Sequence, residues 1–126
     1  MKTKHKILIA EDNVSNMKLL RDVLEHQGFE VIETYDGKQA LHKIKELNTQ
    51  ISLILMDIQL PEINGIEVIK EIKQKEATKY IPVFAVSAYA MQNEINKANE
   101  AGCDCYITKP INLKDFVIKV KQTIKD

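Results

Sequence analysis

The sequence predicts an α/β domain in which a five-stranded, doubly wound parallel sheet is covered by helices on both faces. Short apolar runs alternate five times with stretches whose apolar residues recur at helical spacing, which is typical of repeated βα units. Most of these runs are apolar throughout, as strands buried on both faces of a parallel sheet must be. The length of 126 residues is that of one domain with its own core.

The first three units each join a short strand to an amphipathic helix. The strands are predicted at residues 7–10, 31–32 and 53–56. Because Glu30 and Glu33 flank the second strand, we expect that strand nearer an edge of the sheet. The helices are predicted from Met17, Leu20, Val23 and Leu24, then from Ala40, Leu41, Ile44 and Leu47, and then from Ile66, Ile69 and Ile72.

The last two units follow the same order, with strands predicted at residues 83–86 and 106–107. Pro82 precedes the fourth strand, a position where its missing N–H does least harm. The apolar positions are Met91, Ile95 and Ala98 in the fourth helix, and Leu113, Phe116, Val117, Val120 and Ile124 in the fifth. The weak pattern of the fourth predicts a helix that is only lightly attached to the core.

All four glycines fall where this order needs a turn. Gly28 and Gly102 follow predicted helices, where a residue in the left-handed conformation closes the last turn. Gly37 and Gly65 are expected in connections that lead from a strand into a helix.

Composition and charge argue against several classes of function. Lys plus Arg and Asp plus Glu are both 18, so the net charge is zero and no surface for nucleic acid is indicated. The apolar runs are far shorter than the roughly 20 residues that a membrane span needs. The few apolar residues after the lysine-rich start are also too few for a signal peptide. We therefore expect a cytoplasmic protein that binds neither nucleic acid nor membranes.

Polar residues with useful chemistry stand at the ends of four strands. Glu11 and Asp12 follow the first strand and Asp57 ends the third. Ser87 ends the fourth strand, and Lys109 follows the fifth. In a doubly wound sheet the carboxyl ends of the strands form the binding edge. We therefore expect three carboxylates, one hydroxyl and one ammonium group to lie together there.

Each of these residues also has an ordinary structural interpretation. Asp12 is suited to cap a helix, Ser87 to form a turn, and Lys109 to be a solvated surface charge. Their combination favours a site, because crowded carboxylates repel one another unless a cation is present. Oxygen ligands suit Mg²⁺, and a lysine directed at the same place indicates that an anion is also bound.

Four segments of the sequence resemble the receiver domains of two-component signalling, in the expected order and over essentially the whole chain. They are Ile9-Ala10-Glu11-Asp12-Asn13, residues 55–65, Val86-Ser87-Ala88, and Tyr106-Ile107-Thr108-Lys109-Pro110. Residues 11–17 most resemble stand-alone DivK-like regulators and the receivers of hybrid histidine kinases. The resemblance implies one receiver domain over residues 1–126, with the flavodoxin-like strand order 2-1-3-4-5.

The resemblance also implies a phosphoacceptor and a metal site. Asp57 would accept a phosphoryl group from a histidine kinase or a histidine phosphotransfer protein. Mg²⁺ would be held by Glu11, Asp12, Asp57 and the backbone carbonyl of Gln59, with Glu11 acting through water. Many receivers carry Asp where this chain has Glu11, and the extra methylene is expected to alter the water shell rather than abolish binding.

Three further residues receive roles from the same resemblance. Ser87 would bind a phosphoryl oxygen, and Lys109, followed by a cis bond to Pro110, would pair first with the carboxylate and then with the phosphate. Tyr106 would be the switch residue that moves inward from the surface after Ser87 moves. A downstream protein would then bind the face formed by the fourth helix, fifth strand and fifth helix. Catalysis would be limited to the domain's own phosphorylation and slow dephosphorylation.

Two alternatives stay open, namely a receiver excised from a hybrid histidine kinase or larger regulator, and a pseudo-receiver that binds proteins without being phosphorylated. The sequence does not contain the motifs of other protein classes that share this type of fold or chemistry. Residues 13–17 are not the hydroxyl- and glycine-rich loop of a flavin mononucleotide binder, and no G-x-x-x-x-G-K-[ST] motif is present. The D-x-D motif of haloacid dehalogenase phosphatases is replaced by Asp57-Ile58-Gln59.

Overall fold

Five parallel strands and five α-helices alternate in the computed structural model, which describes residues 4–124. The strands are β1 (Lys6–Ala10), β2 (Glu30–Thr34), β3 (Ile51–Asp57), β4 (Val83–Ser87) and β5 (Cys105–Thr108). The helices are α1 (Val14–His26), α2 (Gly37–Leu47), α3 (Gly65–Gln74), α4 (Gln92–Ala101) and α5 (Leu113–Thr123), and a 3₁₀ turn (Asn48–Gln50) leads into β3. In this part of the chain no helix has the length and apolarity to cross a membrane. The first lysine of the lysine-rich start lies outside the described residues.

The sheet has the strand order β2-β1-β3-β4-β5, which confirms the predicted doubly wound topology. Strand β1 pairs with β2 on one side and with β3 on the other, so the chain reverses its direction of winding between β1 and β3. A binding site is expected beyond the carboxyl ends of these two strands. Strand β2 lies at an edge and is partly exposed, as its flanking glutamates predicted.

Alternate residues of the central strands face two separate cores. One core packs beneath α2, α3 and α4 and includes Leu8, Ile54, Met56, Val83 and Ala85. The other packs beneath α1 and α5 and includes Ile7, Ile9, Leu53, Leu55, Phe84 and Val86. Because both faces of the sheet are covered, these strands are apolar at nearly every position.

The glycines occupy two kinds of position. Gly28 and Gly102 follow α1 and α4 with φ angles of 93° and 107°, so they close these helices in the left-handed region as predicted. The expected places of Gly37 and Gly65 need a correction, since these residues are the first residues of α2 and α3 rather than part of the connections. Both are buried, and the reason for a glycine there is close approach of another backbone segment.

Candidate functional site

Three carboxylates meet where β1 and β3 end. One carboxylate oxygen from each of Glu11, Asp12 and Asp57 lies within 4.8 Å of the others. Glu11 and Asp57 are each only 3% exposed, whereas Asp12 is exposed. The cluster therefore has a buried floor and one side open to solvent, and the structure brings together the acidic residues that the sequence singled out.

Hydrogen bonds hold both the backbone and the carboxylate of Glu11. Its backbone N–H donates to the carbonyl of Thr34 at 3.1 Å, and the buried Thr34 hydroxyl donates to the Ile9 carbonyl at 2.9 Å. One carboxylate oxygen of Glu11 accepts from the Asn13 N–H at 3.2 Å, and the Asn13 side chain caps α1 by accepting from the Asn16 N–H. Sequence reasoning missed Thr34, whose only signal was its place at the end of the second strand.

Lys109 joins two of the carboxylates. Its Nζ lies 3.0 Å from Glu11 Oε1 and 2.8 Å from Asp57 Oδ2. Burial alone would lower the pKa of Lys109, but its hydrogen bonds and charge interactions with Asp57 and Glu11 raise that pKa above its ordinary value. Burial raises the pKa of Glu11, and the hydrogen bond from Lys109 offsets this only in part. The bond from Lys109 to Pro110 is cis, as expected.

The Asp57 carboxylate is held at both oxygens. Oδ2 accepts from Lys109, and Oδ1 accepts from the backbone N–H of Gln59 at 2.8 Å. The Gln59 residue itself is exposed, so its backbone lies at the rim of the site. A buried carboxylate fixed in this way has a defined orientation and is a suitable nucleophile for an incoming electrophile.

Ser87 and Tyr106 are both attached to the backbone of Tyr89. The Oγ of the fully buried Ser87 accepts from the Tyr89 N–H at 3.1 Å, and the Tyr106 hydroxyl donates to the Tyr89 carbonyl at 2.7 Å. Tyr106 is half-buried against the core beneath α2, α3 and α4, and its hydroxyl forms its bond to Tyr89 at an exposed position. The Tyr89 carbonyl gives the hydroxyl an acceptor there.

The donor set suits a divalent cation. All the candidate ligand atoms of the cluster are carboxylate oxygens, which are the ligands that Mg²⁺ prefers. Lys109 supplies positive charge to Glu11 and Asp57, while Asp12 stands at the open side. The three acidic residues therefore fit a Mg²⁺ site at the rim of the cluster.

Residues 7–121 match the family described as the response regulator receiver domain. The chain belongs to this family. It is 44% identical over 120 residues to the polar-differentiation response regulator DivK of Brucella ovis, and the match covers 95% of this chain and 96% of that protein. The receiver domain is thus a signalling module of two-component systems, a family in which a phosphoacceptor role is typical.

Solved structures show the same architecture. The receiver domain of the sensor histidine kinase PA1611 from Pseudomonas aeruginosa has a TM-score of 0.86 and 28% identity, over 95% of this chain and 97% of that one. That structure holds a magnesium ion in its active-site cleft. The chemotaxis response regulator CheY4 of Vibrio cholerae has a TM-score of 0.89 at 21% identity, over 97% of this chain and 100% of that one, and shows the shared fold.

Proposed function

We propose that the chain is a single receiver domain, residues 1–126, that accepts a phosphoryl group on Asp57. The observation that carries this proposal is the setting of the Asp57 carboxylate. It is buried at the end of β3, with the Lys109 ammonium on one oxygen and the Gln59 amide on the other, both at 2.8 Å. Glu11 and Asp12 stand beside it. A histidine kinase or a histidine phosphotransfer protein is the proposed donor.

The proposed transfer moves one phosphoryl group from a phosphohistidine to Asp57. An oxygen of Asp57 forms a bond to phosphorus as the phosphorus–nitrogen bond breaks, and the electron pair of that bond stays on the imidazole nitrogen. Lys109 and the Ser87 hydroxyl would bind the equatorial oxygens, whose charge must be neutralised in the transition state. The chain would catalyse only this reaction and the later hydrolysis of its own acyl phosphate.

Glu11, Asp12, Asp57 and the Gln59 carbonyl are the proposed ligands of Mg²⁺. When bound, the ion supplies positive charge to the phosphoryl oxygens. Glu11 and Asp57 each have protein partners at both carboxylate oxygens, whereas Asp12 faces solvent. The Glu11 side chain is one methylene longer than that of an aspartate, which leaves less room for the ion beside it. We therefore propose that Asp12 and Asp57 contact the ion directly and that Glu11 acts through water.

Labelling with acetyl phosphate and Mg²⁺ tests the phosphoacceptor. Wild type should gain the mass of one phosphoryl group, and chelation of Mg²⁺ should prevent this. Asp57→Asn should gain none, whereas the control Asp22→Asn, which alters an exposed carboxylate on α1, should be labelled like wild type. Equal labelling of Asp57→Asn would contradict the proposal and would favour a module that binds proteins without phosphorylation.

We also propose that phosphorylation changes the binding of a downstream protein on the face formed by α4, β5 and α5. This proposal is supported by the bonds of Ser87 and Tyr106 to the Tyr89 backbone, which leads into α4. If Ser87 moves toward the phosphoryl group, it releases the Tyr89 N–H and alters the acceptor of Tyr106. We place this signalling in the cytoplasm, where the ATP that charges histidine kinases is available.

A nuclear magnetic resonance shift map with and without beryllofluoride tests this output face. We expect shifts that reach residues 91–101 and 112–121 and that become weaker in Tyr106→Ala. Shifts confined to the loops around Asp57 would contradict the proposed coupling.

A further inference from the structure

The start of α2 packs directly on the loop that follows Asp57. Gly37, the first residue of α2, is buried. A methyl group on its Cα would lie 2.6 Å from the Ile63 carbonyl oxygen and 2.9 Å from Ile63 Cβ. The nearest of these atoms belongs to the backbone, which has no side-chain rotamer by which to avoid the clash. The contact therefore requires the bare backbone of a glycine.

Residues 58–64, which we name the phosphoacceptor loop, form a closed and strained connection between β3 and α3. The Gly65 N–H donates to the Ile58 carbonyl at 2.9 Å, and a methyl group on Gly65 would collide with the Asp57 carbonyl oxygen. The Ile63 N–H donates to the Pro61 carbonyl at 2.9 Å across Glu62, whose φ is 68°. A three-residue turn with a non-glycine residue in this region is uncommon and persists only where the surroundings hold it.

This loop carries the backbone group that orients the phosphoacceptor. The Gln59 N–H donates to Asp57 Oδ1, and the Gln59 carbonyl is a proposed Mg²⁺ ligand. The position of the loop therefore decides where both groups of Gln59 stand relative to Asp57. The Gly65 N–H closes the loop by its bond to the Ile58 carbonyl, and Gly37 of α2 packs against the loop at Ile63.

We propose that Gly37 is a positioning residue for the phosphoacceptor site, an inference that rests on the proposed function of Asp57. The bare α2 backbone fixes Ile63, Ile63 fixes the loop, and the loop holds the Gln59 amide on Asp57. Helix propensity alone makes the opposite prediction, because alanine is favoured over glycine within a helix. Replacing Gly37 by alanine should therefore stabilise the protein if only the helix matters, and should disturb the site if the contact matters.

The chain offers a matched control for Gly37→Ala. Gly28 has a φ of 93°, and a methyl group on it would meet no atom within 4 Å. Gly28→Ala therefore strains the backbone behind α1 without touching the site. The two readouts are the amide shift of Gln59 and the dissociation constant for Mg²⁺, both from nuclear magnetic resonance titration. We expect Gly37→Ala to shift the Gln59 amide and weaken Mg²⁺ binding about tenfold, as for other supports of a metal ligand. Gly28→Ala should change neither.

A second variant covers the case in which Gly37→Ala does not fold. Ile63→Ala keeps the carbonyl oxygen and Cβ that face Gly37 but removes the rest of the half-buried side chain, so it tests whether Ile63 holds the loop. It should likewise shift the Gln59 amide and weaken Mg²⁺ binding. Its control is Leu47→Ala, which shortens a side chain packed on the same core at the other end of α2. Unchanged readouts in Gly37→Ala or Ile63→Ala, or equal changes in their controls, would overturn the inference.

Neither readout requires phosphoryl transfer, so the two proposals can fail separately. If wild type is labelled on Asp57 while Gly37→Ala behaves like Gly28→Ala, only the positioning role fails. If wild type is never labelled while the Gln59 amide and Mg²⁺ binding respond as expected, the phosphoacceptor function fails and Gly37 positions a metal site alone.

Discussion

Helices α3 and α4 are neighbours on one face of the sheet, yet they are attached to it very differently. The Asn64 side chain caps α3 by accepting from the Ile66 N–H at 2.7 Å. The exposed Met91, which precedes α4, makes no side-chain capping bond, and in the first turn the Asn93 side chain accepts from the Glu94 N–H instead. The buried residues are Gly65, Ile66, Val68, Ile69 and Ile72 in α3, but only Ala98 and Ala101 in α4.

Two residues of the site lead directly into these helices. Asp57 leads through the phosphoacceptor loop into the firmly packed α3, whereas Ser87 leads through residues 88–91 into α4. Local stability follows buried apolar contacts and satisfied helix ends, so α3 should open rarely and α4 should open at low cost. The acceptor is thus built on a fixed element, while the proposed response is carried by a loosely held one.

Truncating one side chain in each helix tests whether α3 is held more firmly than α4. These variants should change the free energy of unfolding more than any others proposed below. Ile69→Ala removes a fully buried side chain of α3 and should lower the free energy of unfolding by about 3 kcal/mol. Ile95→Ala removes a half-buried side chain of α4 and should cost about 1 kcal/mol. Urea denaturation measures both, and equal losses would contradict the difference between the helices.

The acidic cluster at the ends of β1 and β3 should reduce stability when no metal is present. Because burial raises the pKa of Glu11, the folded state holds its proton more tightly, so stability falls as pH rises from the ordinary Glu range through the raised pKa. Glu11→Gln removes this effect and, because Lys109 keeps Asp57 as its partner, should raise the free energy of unfolding at neutral pH.

Denaturation at several pH values, with and without Mg²⁺, shows whether Glu11→Gln raises or lowers the free energy of unfolding. The advantage of Glu11→Gln should shrink as pH falls toward the ordinary Glu range, because wild-type Glu11 then takes up its proton. It should also shrink when Mg²⁺ stabilises wild type. The control Glu100→Gln alters an exposed glutamate on α4 and should show neither trend. A Glu11→Gln protein that is less stable than wild type at neutral pH would refute this account.

A capping side chain before α4 should stabilise its first turn, as Asn64 does for α3. Met91→Ser introduces a cap three residues before Glu94, which gives the spacing of a capping box. We expect a gain of about 0.5–1 kcal/mol and slower hydrogen exchange at residues 92–95. Asn112→Ala, which removes the cap of α5, should produce a loss of similar size confined to α5. Unchanged exchange in Met91→Ser would show that the missing cap does not limit α4.

The smallest effect concerns the lifetime of the phosphorylated form. Water must approach phosphorus opposite the Asp57 oxygen, flanked by Gln59 on the α3 side and the half-exposed Tyr89 on the α4 side. The ring of Tyr89 should obstruct this path, so Tyr89→Ala should shorten the lifetime by roughly twofold to threefold. The substitution keeps the backbone carbonyl of residue 89, so the Tyr106 hydroxyl retains its acceptor. Tyr80→Ala, at an exposed site before β4, is the control, and a longer lifetime in Tyr89→Ala would oppose the steric argument.

Local sequence patterns predicted the sheet, its edge strand and the grouping of Glu11, Asp12, Asp57 and Lys109. These features follow from local patterns, because the period of apolar residues distinguishes strands from helices. The carboxyl ends of parallel strands must also share one edge, so residues that end different strands come together without any further information. The weak pattern of the fourth helix likewise predicted its light attachment to the core.

Contacts between segments distant in sequence had no signal in the local pattern and became visible only in the folded chain. The hydroxyl of Tyr106 bonds to the Tyr89 carbonyl of another loop, and the backbone of Glu11 is held by Thr34 at the end of β2. The need for glycine at position 37 has no local signature, because it comes from the Ile63 carbonyl that packs against it. Periodicity and turn preferences act within a few residues, whereas these contacts are fixed by the packing of helices and loops on the sheet.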